Sequence, residues 1–312
     1  MELQGLVVRN TGSRYEVRTP DGETFICTPA TSLRRRETRT TNPVAIGDNV
    51  SVAPSGGGQA SIVAIAPRRN YIIRRSPNLS REAHILAANI DRALLLANLN
   101  HPPTTTIFID RFLVTATAYH IPVIPAFNKA DRYTPAERAE AEELAALYSG
   151  IGYRSQLLSV HSGEGMEELS CLLKTGLTLV SGHSGTGKTS LINRLVPSAG
   201  LAEGRFSERH HRGMHTTTSY MAVPFGEGYL IDSPGVKGFA QLDISPRELT
   251  LYFPDIFEAS RQCRFADCTH RDEPECGVQA ALASGRLHPS RYKSYLNMFA
   301  DAIHPIRYRR SQ

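Results

Sequence analysis

The chain has 312 residues, of which 41% are hydrophobic and 21% are charged, and its formal net charge is +5. This composition is that of a globular protein and excludes a wholly disordered chain. Because no apolar run approaches the roughly 18 residues that cross a bilayer, and the N-terminus lacks a signal-peptide pattern, we expect a cytoplasmic protein with no membrane partner. The excess of basic residues fits a nucleic-acid partner, and fits equally well Lys and Arg side chains that only face solvent.

Residues 1–72 are predicted to form a small β-barrel of OB type. Short β-prone segments alternate there with turn signals, and little helix pattern is present. The predicted strands lie at 5–8, 15–18, 23–27, 48–53 and 61–66.

A strongly basic loop interrupts this region. Arg34, Arg35 and Arg36 follow one another, and Arg39 comes close behind. One interpretation is a solvated charged loop. The interpretation that we favour is a loop that contacts RNA phosphates, since OB barrels often bind nucleic acid through their loops.

Residues 80–242 alternate strand and helix patterns, which predicts an α/β domain with a mostly parallel sheet. The apolar run at 90–97 is typical of a buried parallel strand, and a second buried strand is predicted at 123–127. Further strands are predicted at 157–160, 177–181 and 229–232. Helices are predicted at 107–119, 135–148 and 189–195. Residues 243–312 are more polar, and we expect a small helical domain there.

Residues 182–189 fit in full the phosphate-loop pattern G-x-x-x-x-G-K-[ST], between a predicted strand and a predicted helix. Glycines let backbone N–H groups turn toward phosphate oxygens, and the helix adds the positive end of its dipole. Lys188 is expected to contact the β- and γ-phosphates, and the hydroxyl of Thr189 to bind Mg²⁺. The predicted contact set is Gly182, His183, Ser184, Gly185, Thr186, Gly187, Lys188, Thr189 and Ser190.

Asn128-Lys129-Ala130-Asp131 ends a predicted strand and points to guanine as the base. The Asp131 carboxylate can accept both N–H donors of the guanine edge, which adenine does not offer, and the stem of Lys129 can lie over the base. An ordinary polar strand end is the alternative. Ser159 follows the next strand, where a further loop would touch the base.

Two further segments are predicted to complete the phosphate site. Asp232 can hold Mg²⁺ through its water shell, and the backbone N–H of Gly235 can approach the γ-phosphate. Thr217, with Thr216 as the alternative, is expected to reach Mg²⁺ from a loop that orders when GTP is bound.

Val236 stands where Ras-like enzymes carry the Gln that orients the attacking water. Val cannot do this, so either hydrolysis is slow or another group takes the role. His215 is our candidate, and it forms the predicted catalytic set with Lys188 and Thr217. The cluster of His210, His211 and His215 also has an alternative interpretation as a second metal site.

The motifs occur in permuted order, because the guanine motif precedes the phosphate loop. A parallel sheet can be cut and rejoined in this way when its old termini lie close together. The chain resembles the RsgA (YjeQ/YloQ) family of circularly permuted GTPases over essentially its whole length. The resemblance rests on the Arg-rich barrel, the segment from Ile90-Asp91 through Ile109-Asp110-Arg111-Phe112-Leu113, and the motifs above. The resemblance implies binding to the small (30S) ribosomal subunit and its rRNA late in maturation. It also implies GTP hydrolysis that the subunit stimulates.

Three cysteines and a histidine lie close together near the C-terminus. Cys263, Cys268, His270 and Cys276 suit a tetrahedral, closed, structural Zn²⁺ site, and the family resemblance implies zinc at these four positions. Unrelated thiols in a helical domain are the alternative. Cys27 and Cys171 are expected in a strand core and a helix core. An odd number of cysteines, five in all, argues against a disulfide framework.

Three functions remain in view. The leading one is a monomeric GTPase that docks on the 30S subunit and is released by hydrolysis. The second is a nucleotide-gated RNA-binding module without enzymatic activity, which the missing Gln favours. The third is an ATP-dependent kinase, because a phosphate loop does not by itself select the base.

Overall fold

The N-terminal residues form a closed barrel. The computed structural model describes residues 2–12, 14–31, 33, 43–75, 83–201, 220–232 and 244–303. Strand β1 pairs with β2, β2 with β3, β3 with β5 in parallel, β5 with β4, and β4 with β1, so the ring closes. The strands are β1 (Leu3–Asn10), β2 (Tyr15–Arg18), β3 (Thr24–Pro29), β4 (Asn49–Gly56) and β5 (Gln59–Ile65). The predicted barrel is thereby confirmed.

Alternation of side chains fills the barrel interior. Successive residues of a strand point to opposite faces, so every second apolar residue turns inward. The core consists of Val7, Tyr15, Val17, Cys27, Val44, Val50, Val52, Ala60 and Ile62. Cys27 therefore occupies the strand core that the sequence predicted.

A two-stranded antiparallel sheet follows the barrel, and the sequence pattern did not predict it. It consists of β6 (Tyr71–Arg75) and β7 (Ala83–Ala88). The end of β7 touches the barrel, because the N–H of Ala88 donates to the carbonyl of Ile46 at 2.8 Å. Gly47 lies at this contact with φ +84°, and a Cβ there would come within 2.1 Å of the Ala88 carbonyl oxygen. This close approach requires glycine.

The central sheet carries the α/β domain. Its strand order is β10-β9-β8-β11-β13-β12, with β12 antiparallel to β13 and the other neighbours parallel. The strands are β8 (Arg92–Ala97), β9 (Val123–Phe127), β10 (Gln156–Leu157), β11 (Leu177–Gly182), β12 (Tyr220–Phe225) and β13 (Gly228–Asp232). The mostly parallel sheet is confirmed, although β10 is shorter than predicted.

Helices cover both faces of this sheet, which is why its central strands are apolar throughout. On one face α1 (Thr106–Ala118) and α2 (Pro135–Gly150) pack on Ala93, Leu95 and Ala97. On the other face α3 (Met166–Leu173) and α4 (Lys188–Leu195) pack on Leu94 and Leu96. Cys171 lies on α3 but is exposed, so its prediction as a helix-core residue was wrong. In the described part of the chain, no helix is long and apolar enough to span a membrane.

Barrel and central sheet are continuous. Strand β12 pairs with β1 through Arg9 with Met221 and Asn10 with Tyr220, which makes one 11-stranded sheet. The predicted boundaries of the domains at 1–72, 80–242 and 243–312 stay predictions.

The C-terminal domain is helical, and it packs on α1. It contains a 3₁₀ turn (Leu249–Tyr252), α5 (Pro254–Ser260), α6 (Gly277–Ala283) and α7 (Pro289–Ile303). Its core also includes Val114 from α1. The remaining core residues are Leu249, Phe253, Ile256, Cys276, Val278, Ala281, Leu287, Tyr295 and Phe299.

Candidate nucleotide site and metal cluster

The phosphate loop joins β11 to α4, with backbone conformations that suit glycine. Gly182, Gly185 and Gly187 have φ of +144°, +80° and +99°. A Cβ on Gly187 would come within 2.5 Å of the amide nitrogen of Asn128. Thr189 and Ser190 lie in the first turn of α4. The loop therefore directs the N-terminal end of a helix at the space where phosphates are predicted.

Lys188 is held inside the loop itself. Its Nζ donates to the carbonyl oxygens of Gly182 at 2.9 Å and His183 at 2.7 Å. The Thr186 hydroxyl donates to the same His183 oxygen at 2.8 Å. Burial lowers the pKa of Lys188, and the charge of Asp232 opposes that shift. The ammonium group of Lys188 is thus bonded only to uncharged carbonyl oxygens in the contacts described, and negatively charged phosphate oxygens can replace them as acceptors.

Asp232 ends β13 beside this lysine. It is paired in register with Val180 of β11, two residues before Gly182. Burial raises the pKa of Asp232, whereas Lys188 lowers it. Its Oδ1 is buried and has no hydrogen-bond partner among the described residues. A buried carboxylate oxygen without a partner fits the water shell of a Mg²⁺ ion.

The guanine motif is bonded directly to the phosphate loop. The side-chain amide of Asn128 donates to the carbonyl of Thr186 at 2.8 Å and accepts from the N–H of Val160 at 3.1 Å. Nζ of Lys129 donates to the carbonyls of Gly185 at 2.7 Å and His101 at 2.6 Å. Residues 128–131 and 182–189 therefore form one continuous surface, although the chain presents them in reversed order.

Asp131 is oriented by the loop after β10. The hydroxyl of Ser159 donates to Oδ1 of Asp131 at 2.5 Å and accepts from the N–H of Ser162 at 2.9 Å. His161 Nδ1 lies 3.5 Å from the other carboxylate oxygen. The predicted base residues Asn128, Asp131 and Ser159 are thus brought together at the carboxyl edge of the sheet.

The sequence patterns did not predict two contacts at the site. The hydroxyl of Tyr133 donates to the carbonyl of Asn128 at 2.6 Å and accepts from the N–H of Leu99 at 3.2 Å. The ring of Phe108 lies against the ring of His183, with centroids 3.8 Å apart. The short spacing of Tyr133 from the guanine motif was the only available signal for the first contact. No motif marked the second.

Several predicted residues lie outside the described part of the chain. They are the basic-loop residues Arg34, Arg35, Arg36 and Arg39, the switch residues His210, His211, His215, Thr216 and Thr217, and Gly235 and Val236. Their roles stay predictions.

Cys263, Cys268, His270 and Cys276 form the predicted cluster, with ligand atoms all within 4.8 Å of one another. His270 Nδ1 lies 3.5 Å from Sγ of Cys263 and 3.7 Å from Sγ of Cys276. Burial, reinforced by the neighbouring thiols, raises the pKa of Cys268 to about 12. Thiolates packed this closely repel one another unless a cation lies between them, so the donor set fits one tetrahedral metal ion.

Hydrogen bonds around His270 hold the backbone of the loop that carries this ligand. Its backbone carbonyl accepts from Gln279 Nε2 at 3.0 Å and from the Tyr292 hydroxyl at 2.8 Å. Glu273 accepts bonds from the backbone N–H groups of Thr269 and Arg271 at 2.7 and 3.0 Å. These bonds fix the loop that carries His270, as outer-shell groups do in metal sites.

The chain matches known proteins along most of its length. A protein-family model described as RsgA GTPase matches residues 65–242. The chain is 50% identical over 305 residues to small ribosomal subunit biogenesis GTPase RsgA of Porphyromonas gingivalis, covering 96% of this chain and 97% of that one. It is 46% identical over 300 residues to small ribosomal subunit biogenesis GTPase RsgA 2 of Bacteroides thetaiotaomicron, with the same coverage.

Solved structures share the fold. The crystal structure of YjeQ from Thermotoga maritima has a TM-score of 0.80 at 31% identity, covering 97% of this chain and 99% of that one. The crystal structure of YloQ, a circularly permuted GTPase, has a TM-score of 0.76 at 24% identity over 98% of this chain and 96% of that one, a likeness of fold alone. On its matched family model, its near full-length relatives and its permuted motifs, the chain belongs to the RsgA GTPase family.

Proposed function

We propose that the protein hydrolyses GTP in the biogenesis of the small ribosomal subunit. The observation that carries the proposal is a pair of hydrogen bonds made by the side chain of Asn128. One goes to Thr186 of the phosphate loop, and the other comes from Val160, in the loop after β10 that is predicted to touch the base. A base and the phosphates of one nucleotide can therefore be held by one continuous surface. The name of the Porphyromonas gingivalis relative, a small ribosomal subunit biogenesis GTPase, supports the ribosomal role.

Guanine would be selected by Asp131. Its carboxylate accepts the N1–H and the exocyclic N–H of guanine, while Ser159 holds the carboxylate in place at 2.5 Å. Adenine presents an acceptor at N1, so it would leave the carboxylate unpaired, and such buried mismatches are strongly rejected. This disfavours the ATP-dependent kinase.

The phosphate groups would be bound by the loop N–H groups and Lys188. The residues that would hold Mg²⁺ are Thr189, Asp232 through water, and Thr217 or Thr216. The ion would neutralise charge on the β- and γ-phosphates. His215 would position the attacking water in place of the Gln that Val236 replaces, and Gly235 would approach the γ-phosphate with its N–H.

The 30S subunit and its rRNA are the proposed partners, at a late stage of maturation, in the cytoplasm. The protein would bind as a monomer through the barrel with its Arg-rich loop and through the C-terminal domain. We further propose that the Cys263, Cys268, His270 and Cys276 cluster holds one structural zinc ion. Hydrolysis would be stimulated by the subunit and would release the protein.

The test is GTP turnover by the full-length protein with and without purified 30S subunits. We expect slow turnover alone and clear stimulation by the subunits, with His215→Ala losing the stimulated rate but keeping nucleotide affinity. Absence of stimulation would remove the ribosomal link and leave the hydrolase standing. Tighter binding of ATP than of GTP in competition would overturn the base assignment.

A further inference from the structure

Helix α1 contacts both the phosphate loop and the C-terminal domain. Near its start, the Phe108 ring lies on His183, whose carbonyl holds both Lys188 and Thr186. Two residues further along α1, Asp110 is fully buried and paired with Arg291 of α7. The same short helix therefore carries two contacts that belong to different parts of the molecule.

The docking side of α1 is built around a buried charge network. Arg291 is fully buried, and its guanidinium donates from Nε and NH2 to the two carboxylate oxygens of Asp255, both at 2.9 Å, and from NH1 to Asp110. The Tyr148 hydroxyl of α2 donates to Asp110 at 3.0 Å. Arg291 therefore joins Asp110 of α1 to Asp255 of α5, and removal of one partner would leave a buried charge uncompensated.

A second pair widens the same contact. Arg111 donates to Asn297 at 2.7 Å and pairs with Asp301, both on α7. Val114, one turn after Asp110, is buried in the core of the C-terminal domain. Ile109, Phe112 and Leu113 face the opposite way, into the core of the central domain. Helix α1 therefore packs against the central domain on one side and against the C-terminal domain on the other.

We infer that Phe108 is a positioning residue for the phosphate loop, and that docking of the C-terminal domain on α1 sets its position. The inference rests on the proposed nucleotide site. Neither Phe108 nor Asp110 touches the nucleotide in this scheme. The ring keeps His183 where its carbonyl orders the loop, and the buried pair keeps the first turns of α1 from shifting. The C-terminal domain thereby contributes to nucleotide affinity through packing alone.

The test is equilibrium titration of fluorescently labelled GDP against full-length variants whose folding is checked by thermal melting. Phe108→Leu keeps apolar volume but removes the ring, and we expect roughly three- to ten-fold weaker binding, the size of one lost ring contact. Phe108→Tyr keeps the ring and should bind like wild type. Ile107→Ala, a half-buried neighbour on the same turn, is the matched control and should also bind like wild type.

The link to the C-terminal domain is tested by a double-mutant cycle. Asp110→Asn should weaken GDP binding in the same direction, and Phe108→Leu/Asp110→Asn should bind no more weakly than the weaker single variant. If Asp110→Asn does not fold, Arg111→Ala takes its place in the cycle. Independent, multiplying effects, or a folded Phe108→Leu with wild-type affinity, would overturn the inference. Failure of wild type to bind GDP would instead overturn the proposed function.

Discussion

At the scale of single residues, the site depends on side chains that serve two loops at once. Asn128 is 2% exposed, and its amide uses a donor for the phosphate loop and an acceptor for the loop after β10. Gly187 leaves the space that this amide occupies. A substitution that removes the Asn128 hydrogen bonds, or that fills the space at Gly187, would therefore break the connection between the phosphate loop and the loop after β10.

The base assignment predicts the effect of Asp131→Asn. Replacing the carboxylate by an amide removes one of the two acceptors for guanine and adds a donor that suits the O2 of xanthine. We expect GTP affinity to fall about 100-fold or more and XTP to become the better ligand, measured by competition against labelled nucleotide. Glu140→Gln, an exposed acid-to-amide change on α2, is the control. Unchanged preference for GTP would contradict the role of Asp131.

At the scale of elements, a single carboxylate next to β8 connects the segment after the barrel to the central sheet. Asp91 precedes β8, pairs with Arg69 at 2.7 Å, and accepts from the backbone N–H of Leu177 at the start of β11 at 2.7 Å. A Cβ on Gly176 would come within 2.6 Å of this carboxylate. One side chain thus fixes the segment after the barrel to two neighbouring strands.

This arrangement predicts a pH-dependent stability difference. Burial raises the pKa of Asp91, but Arg69, the Leu177 N–H and Arg92 outweigh it, so the folded-state pKa lies below 3.8. A lowered carboxyl pKa stabilises the fold above the unfolded value and loses that contribution as pH falls through the folded value. Asp91→Asn should therefore cost roughly 1 kcal/mol at pH 7, and the difference from wild type should shrink below about pH 3.8.

The measurement is chemical denaturation of wild type and variant at several pH values. Glu140→Gln again serves as the control and should change little at any pH. A difference that persists unchanged to pH 3, or grows there, would contradict the assigned ion pair.

Sequence patterns predicted the elements whose burial is complete. Strand β8 is apolar after Arg92, every residue of β9 and β11 is buried, and the phosphate loop has a fixed spacing of glycines. Strand β12 was missed because Pro224 lies within it, and a proline inside a run of residues weakens the sequence pattern of a strand. The contact of Phe108 with His183 depends on how a helix packs on a loop, which no local pattern encodes.

At the scale of the whole molecule, the C-terminal domain combines a hydrophobic core with a small cluster of potential metal ligands. Its helices α5 and α6 are seven residues each, too short to be stable alone. The Cys263, Cys268, His270 and Cys276 donors tie the loops between them. A bound metal ion would therefore supply a large share of the folding free energy of this domain.

Removal of the metal is predicted to loosen this domain. We expect about one zinc per chain by elemental analysis, a lower melting temperature after chelation, and loss of zinc in Cys268→Ser. Cys171→Ser changes an exposed cysteine outside the cluster and should keep both the metal and the melting temperature. Full zinc content in Cys268→Ser would contradict the ligand assignment.

The pairing of β1 with β12 predicts how a fragment without the barrel would behave. A fragment cut after the barrel would leave the outer backbone groups of Tyr220 and Met221 bare, where Asn10 and Arg9 now cover them. Unpaired strand edges recruit other strands, so such a fragment should self-associate. The barrel thus covers an aggregation-prone strand edge of the central sheet, in addition to being a candidate RNA-binding surface.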